Sequence, residues 1–557
     1  MRQAPRLTLL VLCAPIFAGL FGAIWSILAQ PSGDAVSAFV QLANWPGFGQ
    51  AAALSIWVGL ASGVVSLFIT LLLTASLLNS QVFWWLQHLL SPLLAVPHAA
   101  AALGLGFMIS PSGWIARLFS PWATGWQTPP DLQILNDPYG VSLILGLVCK
   151  EVPFLLLVTL SALAPAGALP RMAVAVSLGY GRVWGFVLTA LPALYPHLRL
   201  PIYAVLSYAM TSVDMAMILG PSLPPTLAVQ ITNWMTDPSL SHRAVAAAGA
   251  LVQLGLVLGV IILWHVAERV FKRAVFAASG AGHRLRAVDP PFKALALVLG
   301  FVIAGLMVLG LISLSLWSIS GLWTFPNALP SKLSLQNWTH SSQGLMQASM
   351  TTLIIAVFST LISLTLVIVC LEAEVRFPPT RARLGLWLLY LPLLVPQIVF
   401  LPGLKVLLLS LGLNFSVFIV ALSHVVFVLP YVFLSLSVPF RTWDNRHKLI
   451  AETMGASANA VFWRLRMPML LAPVLTAIAL GIAVSVGQYL PTLLIGGGRV
   501  ETLTTEAVAL SSGGNRRIIG SVTLLQMVLP WLCFGLAITL PRLIFANRRL
   551  LLSEDIR

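Results

Sequence analysis

Lys150 and Glu151 stand side by side inside an apolar run, and Asp214 interrupts another. A charge at the bilayer centre costs about 2.5–3.5 kcal/mol on insertion scales, so each should face a partner, water or a solute. Neighbours in sequence diverge on a helix, so Lys150 and Glu151 are expected to find separate partners. Gln488 and Tyr489 occupy the zone of the second half that corresponds to Asp214. His98 and Gln397 each follow a proline, Pro97 and Pro396, whose ring frees backbone carbonyls nearby. This set reads equally as the lining of a solute path or as interhelical hydrogen bonding. Lys405 reads as a snorkelling side chain near the outer interface. Catalytic chemistry has no residues to stand on. None of the six lysines follows a glycine, so no phosphate-binding Gly-Lys loop is present, and His-Glu-x-x-His, Cys-x-x-Cys and Gly-x-Ser-x-Gly are absent too. No catalytic residue and no metal site is assigned. The four cysteines (Cys13, Cys149, Cys370, Cys533) are isolated in apolar runs and read as packing residues.

The elements that must hold these groups are membrane helices. Of 557 residues 59% are hydrophobic and only 8% charged, with mean hydropathy +0.95. A soluble domain carries about a quarter charged residues. The pattern predicts an all-α polytopic membrane protein of about twelve spans. They fall near residues 7–29, 51–78, 86–110, 139–163, 196–220 and 243–266, then 293–319, 346–371, 384–411, 415–439, 473–497 and 518–545. The opening run after Met1–Arg6 is long for a cleaved signal and reads as a retained first span. Between the sets, 268–292 reads as a basic cytoplasmic linker joining a first half, 1–267, to a second, 293–557. The net charge of +15 sits in short loops rather than on one face. That is the positive-inside pattern, with both termini cytoplasmic, and it argues for lipid as a partner and against nucleic acid.

One stretch occurs twice. In each copy a glycine is followed seven positions later by Phe and thirteen later by Pro: Gly179, Phe186 and Pro192, then Gly455, Phe462 and Pro468. Corresponding residues lie 276 positions apart, as do Thr226-Leu227 and Thr502-Leu503. The glycine should let an arriving helix break. Gly181 or Ser457 should then cap a short second helix, and the proline should end it. Trp184 and Phe186, or Phe462 and Trp463, would show on that helix as an apolar plug for a partner. Six spans per copy is an even number, so the halves share one orientation as parallel repeats.

The duplicated stretch, strongest at 173–196 and 449–473, resembles the EAA loop of ABC importer permeases. The two-half arrangement resembles the fused binding-protein-dependent permeases of the iron(III), thiamine, polyamine and sulfate group. The resemblance covers nearly the whole chain and implies the type I importer permease fold. It further implies coupling helices at both stretches, docked on two copies of a separate ABC ATPase subunit that holds the ATP and magnesium. A periplasmic solute-binding protein would deliver a small solute to a path in the bacterial inner membrane, and this chain would bind no cofactor. The sequence departs from the family where its leading Glu would fall, at Ala173 and Leu449; Glu452 is three residues late. Pro468 to Pro473 is also one residue wider than Pro192 to Pro196. The alternative is a twelve-span secondary transporter of major-facilitator type. Its usual charged loop between spans two and three is replaced here by Asn79–Trp85. A membrane scaffold without transport would have no need of duplicated docking helices.

Overall fold

A computed structural model describes residues 3–29, 35–340, 342–377, 388–413 and 415–545. The principal helices are α1 (Ala4–Leu28), α2 (Phe48–Leu77), α3 (His98–Ile109), α4 (Val141–Leu163), α5 (Ala168–Ser177), α6 (Arg182–Gly185), α7 (Leu191–Thr211) and α8 (Ser241–Gly280). They continue as α9 (Asp289–Ser318), α10 (Ser342–Arg376), α11 (Gln397–Ser410), α12 (Val417–Arg441), α13 (Asn445–Thr453), α14 (Ala458–Val461), α15 (Leu471–Val486) and α16 (Arg516–Ile544). Among the described residues β-structure is limited to one isolated bridge, Ser320 to Leu333.

Nine described helices are long and apolar enough to cross a membrane. Counting the bent pair Ala458–Met469 and Leu471–Val486 as one span makes ten. Two of the twelve expected spans fall short of that standard. The one near 196–220 is carried by α7, which holds Pro196, His197, Arg199 and Pro201. The one near 384–411 is the fourteen-residue α11, and the first four residues of that expected span lie outside the described residues. So do Met1, Arg2 and residues 546–557, on which the expectation for the termini falls. The expected linker is partly helical: α8 continues to Gly280, and the stretch from there to α9 at Asp289 is short. Nothing in the sequence from Glu268 to Gly280 breaks a helix, and Gly282 takes the left-handed turn that ends it.

Packing follows one plan twice. In the first half α2 packs on α4 and α7; in the second α10 packs on α12 and α15. The opening helix of each set crosses to the other: α1 lies on α11 and α10, and α9 lies on α3 and α2. Both crossings run glycine to glycine. A Cβ on Gly104 would lie 3.1 Å from the Gly310 carbonyl, and Gly403 meets the Gly19 backbone in the same way. Small residues are what let backbones approach where lipid supplies no hydrophobic drive. Large apolar side chains such as Phe17, Trp57 and Ile262 face outward, as a lipid-bathed surface requires.

Candidate functional site

The duplicated stretch folds alike in both copies. Gly179 and Gly455 adopt φ of +87° and +84°, a conformation that excludes most side chains. A helix begins three residues later in each case. It passes at once through a π turn, Phe186–Ala190 or Phe462–Arg466. The wide turn closes with the Leu191 N–H donating to the Phe186 carbonyl, or the Met467 N–H to the Phe462 carbonyl. Pro192 and Pro468 follow immediately. A proline has no N–H to give and its ring clashes with the carbonyl four residues back, and a π turn relieves both. Pro192 therefore does not end the short helix as expected. Pro192 lies inside an unbroken run from Arg182 to Thr211, while the second copy bends by 72° only after Met469.

Burial corrects the expected plug. Phe186 is 1% exposed and Phe462 7%, so both anchor the stretch to the bundle. Trp463 is 67% exposed and shows on the outside. Trp184 is half-buried, and its indole N–H has no partner among the described residues.

Each stretch is fastened to the C-terminal end of the second long helix of its own half. Arg182 donates from Nε to the Ala75 carbonyl at 3.0 Å and from Nη2 to the Leu78 carbonyl, at the end of α2. Arg466 reaches Glu372 of α10 at 2.6 Å and stacks over Trp443, 4.3 Å from its ring centre. Arg376 links the same Glu372, at 2.7 Å, to the Asn459 side chain. Glu452 pairs with Lys448 on the exposed face of α13. The caps differ. Ser457 accepts the Ala460 N–H at 3.3 Å, whereas Gly181 has no side chain with which to cap.

Inside the membrane, Lys150 donates to the carbonyls of Leu93, Leu94 and Val96, the turn that Pro97 breaks open. Glu151 is only 5% exposed and makes no hydrogen bond among the described residues; there the expected separate partner exists for the lysine alone. Asp214 accepts from the Ser212 hydroxyl at 3.2 Å. Gln397, at the start of α11, donates to Gln488, in the break that follows α15, at 2.9 Å. His98 lies against Tyr208, ring centres 4.7 Å apart, and the Tyr489 hydroxyl meets the Met217 sulfur across the halves. Glu151 lies within electrostatic reach of Tyr431, and Asp214 of Tyr489, so the polar cluster spans the seam. Tyr208 and Tyr431 were not singled out from sequence; Tyr431 follows Pro430 as Phe154 follows Pro153, which was the available signal. Lys405 donates to the Met235 carbonyl.

At the opposite end from the duplicated stretches, two arginines join the halves. Arg117 donates to the Thr324 carbonyl at 2.9 Å, and Arg516 to the carbonyl and hydroxyl of Ser112. Between them opens a cavity of about 600 Å³ lined by Trp317, Trp323 and Asn515.

Comparison with known proteins settles what this framework is. No family model matches the chain. It is 31% identical over 444 residues to the inner membrane ABC transporter permease protein YnjC of Escherichia coli (strain K12), a match covering 80% of this chain and 78% of that one. The chain belongs to the ABC transporter permeases. Shorter matches join this permease to the molybdenum transport system permease protein ModB of Mycobacterium tuberculosis, 33% identical over 16% of this chain and 34% of that one. The spermidine/putrescine transport system permease protein PotC of Haemophilus influenzae is 24% identical over 28% of this chain and 59% of its own. The permease is a multi-pass inner-membrane transport subunit rather than an enzyme, and the ATPase activity of such systems lies on a separate subunit. Family membership removes the secondary-transporter alternative.

Proposed function

We propose that this permease forms the membrane path of an importer, with two halves, 1–267 and 293–557, that rock against each other. Two copies of an ATPase subunit, which carry the ATP and magnesium, hold the stretches at 173–196 and 449–473. A periplasmic solute-binding protein delivers a small solute at the other end, with both termini of the permease cytoplasmic. The single observation behind this reading is the duplicated fastening. Each stretch combines a left-handed glycine, a π turn and a buried Phe with an arginine bound to the end of its half's second long helix. A pull on either stretch is thus passed straight into a membrane helix.

The seam between the halves holds the polar side chains Glu151, Asp214, Tyr431 and Tyr489, which fits a path that opens when the halves part. Closure of the ATPase pair would draw the stretches together and open the far end to the binding protein. The test is uptake into vesicles holding the permease with and without its ATPase and ATP. Transport that needs neither would sink the reading, as would failure of any ATPase subunit to co-purify.

A further inference from the structure

The two fastened stretches are alike in backbone but differ in what lies over them. Over the first lies the connection between the halves. The Gly181 N–H donates to the Arg284 carbonyl at 2.7 Å, and Arg286 Nε donates to the Gly179 carbonyl at 2.6 Å. The carboxylate of Asp289, the first residue of α9, accepts the backbone N–H of Arg182 at 2.7 Å and of Val183 at 3.0 Å. These are the first free amides of a helical run that continues to Thr211. Such amides need an acceptor, and a negative charge suits the positive end of the helix. A residue 107 positions away does here what Ser457 does locally in the second copy. Over the second copy no connection passes among the described residues. A Cβ on Gly455 would meet nothing within 4 Å, whereas one on Gly179 would lie 2.8 Å from the Arg286 guanidinium.

We infer that Asp289 is a positioning residue for the first coupling helix, and that the connection between the halves forms part of the first ATPase docking face. Among the described residues the two ATPase subunits therefore meet unequal surfaces: helix plus Arg284–Asp289 at the first, helix without such a connection at the second. A carboxylate bonded to two adjacent amides fixes both the start and the direction of the helix. Asp289 also begins α9, so the position of the first coupling helix is tied to the opening span of the other half. The docking part of this inference rests on the coupling reading above; the capping part does not.

Amide exchange on the purified permease in nanodiscs tests the cap directly. In Asp289→Ala, exchange at Arg182 and Val183 should rise at least tenfold while Ala460 stays unchanged. Asp289→Asn retains one carbonyl acceptor, should give an intermediate rise, and serves if the alanine variant fails to insert. Unchanged exchange at 182 and 183 in either variant overturns the cap. Photo-crosslinkers placed at 184 and 463 test the docking part. Both should capture the ATPase in the parent protein, and only the one at 463 should do so at full yield after Asp289→Ala. Equal capture from both positions in that variant overturns the unequal-face inference. Capture from neither position in the parent protein would remove the coupling reading and the docking inference with it, leaving the cap to the exchange result.

Discussion

Arg466 and Glu372 form a buried ion pair, 2.6 Å from Nη1 to Oε2, that joins the π turn of the second stretch to the end of α10. Arg466 also lies over the rings of Phe440 and Trp443, so its charge is enclosed on three sides. Removing one partner of a buried pair strands the other charge, typically at about 3–5 kcal/mol. Glu372→Ala should therefore lower the melting temperature by many degrees in detergent. Arg376→Ala, which removes the more exposed arm of the same carboxylate, should cost about 1 kcal/mol or less. Matching small shifts in the two variants would show the enclosed pair to be idle.

Phe462 and Trp463 are adjacent and should behave oppositely. Phe462→Ala opens a cavity in the bundle and should destabilise the chain by about 3–5 kcal/mol. Trp463→Ala removes an exposed ring, so thermal unfolding should stay within about 0.5 kcal/mol of the parent. Its effect should appear in ATPase binding instead, as a loss of about 2 kcal/mol or roughly thirtyfold in affinity. Intact ATPase binding by the Trp463 variant would deny that face a docking role.

Lys150 and Glu151 separate structure from transport. Lys150→Met leaves the carbonyls of Leu93, Leu94 and Val96 without their donor, and each buried orphan costs about 1–3 kcal/mol. The folded yield of that variant should fall sharply. Glu151→Gln breaks no hydrogen bond and should fold at least as well as the parent. If Glu151 lines the path, the same variant should lower ATP-dependent uptake at least tenfold; undiminished uptake would return Glu151 to a packing role.

Gly179 and Gly455 share a left-handed backbone but not their surroundings. Alanine at either position pays roughly 1–2 kcal/mol of backbone strain. Gly179→Ala should be the worse of the two, because its methyl would press on Arg286 where Gly455 faces open space. Melting curves of the two variants, run side by side, give the order. At position 455 a bulky residue should also abolish uptake while leaving the protein inserted.

Much of this protein is written locally. The long apolar runs, the scarcity of charge and the repeat spacing mark a two-part membrane bundle because hydropathy and periodicity are properties of contiguous sequence. The glycines at 179 and 455 announce their turns for the same reason, since a positive φ is decided at one residue. Partners distant in sequence had no such signature. Phe186 and Phe462 point inward rather than out because the ends of α2 and α10 come to lie where they do. Pro192 failed to stop its helix because a π turn, supported by packing on the bundle, removed the clash that would have stopped it, whereas the second copy breaks just after Pro468.

The sequence alone determined the solvent and the class of fold, both set by the free energy of moving short segments out of water. Only the tertiary structure decided which buried groups meet. Lys150 finds three carbonyls and Glu151 none; α1 and α9 exchange halves through paired glycines; and Asp289 caps a helix that begins 107 residues earlier. Those pairings depend on how several helices pack at once, and no single segment carries that information.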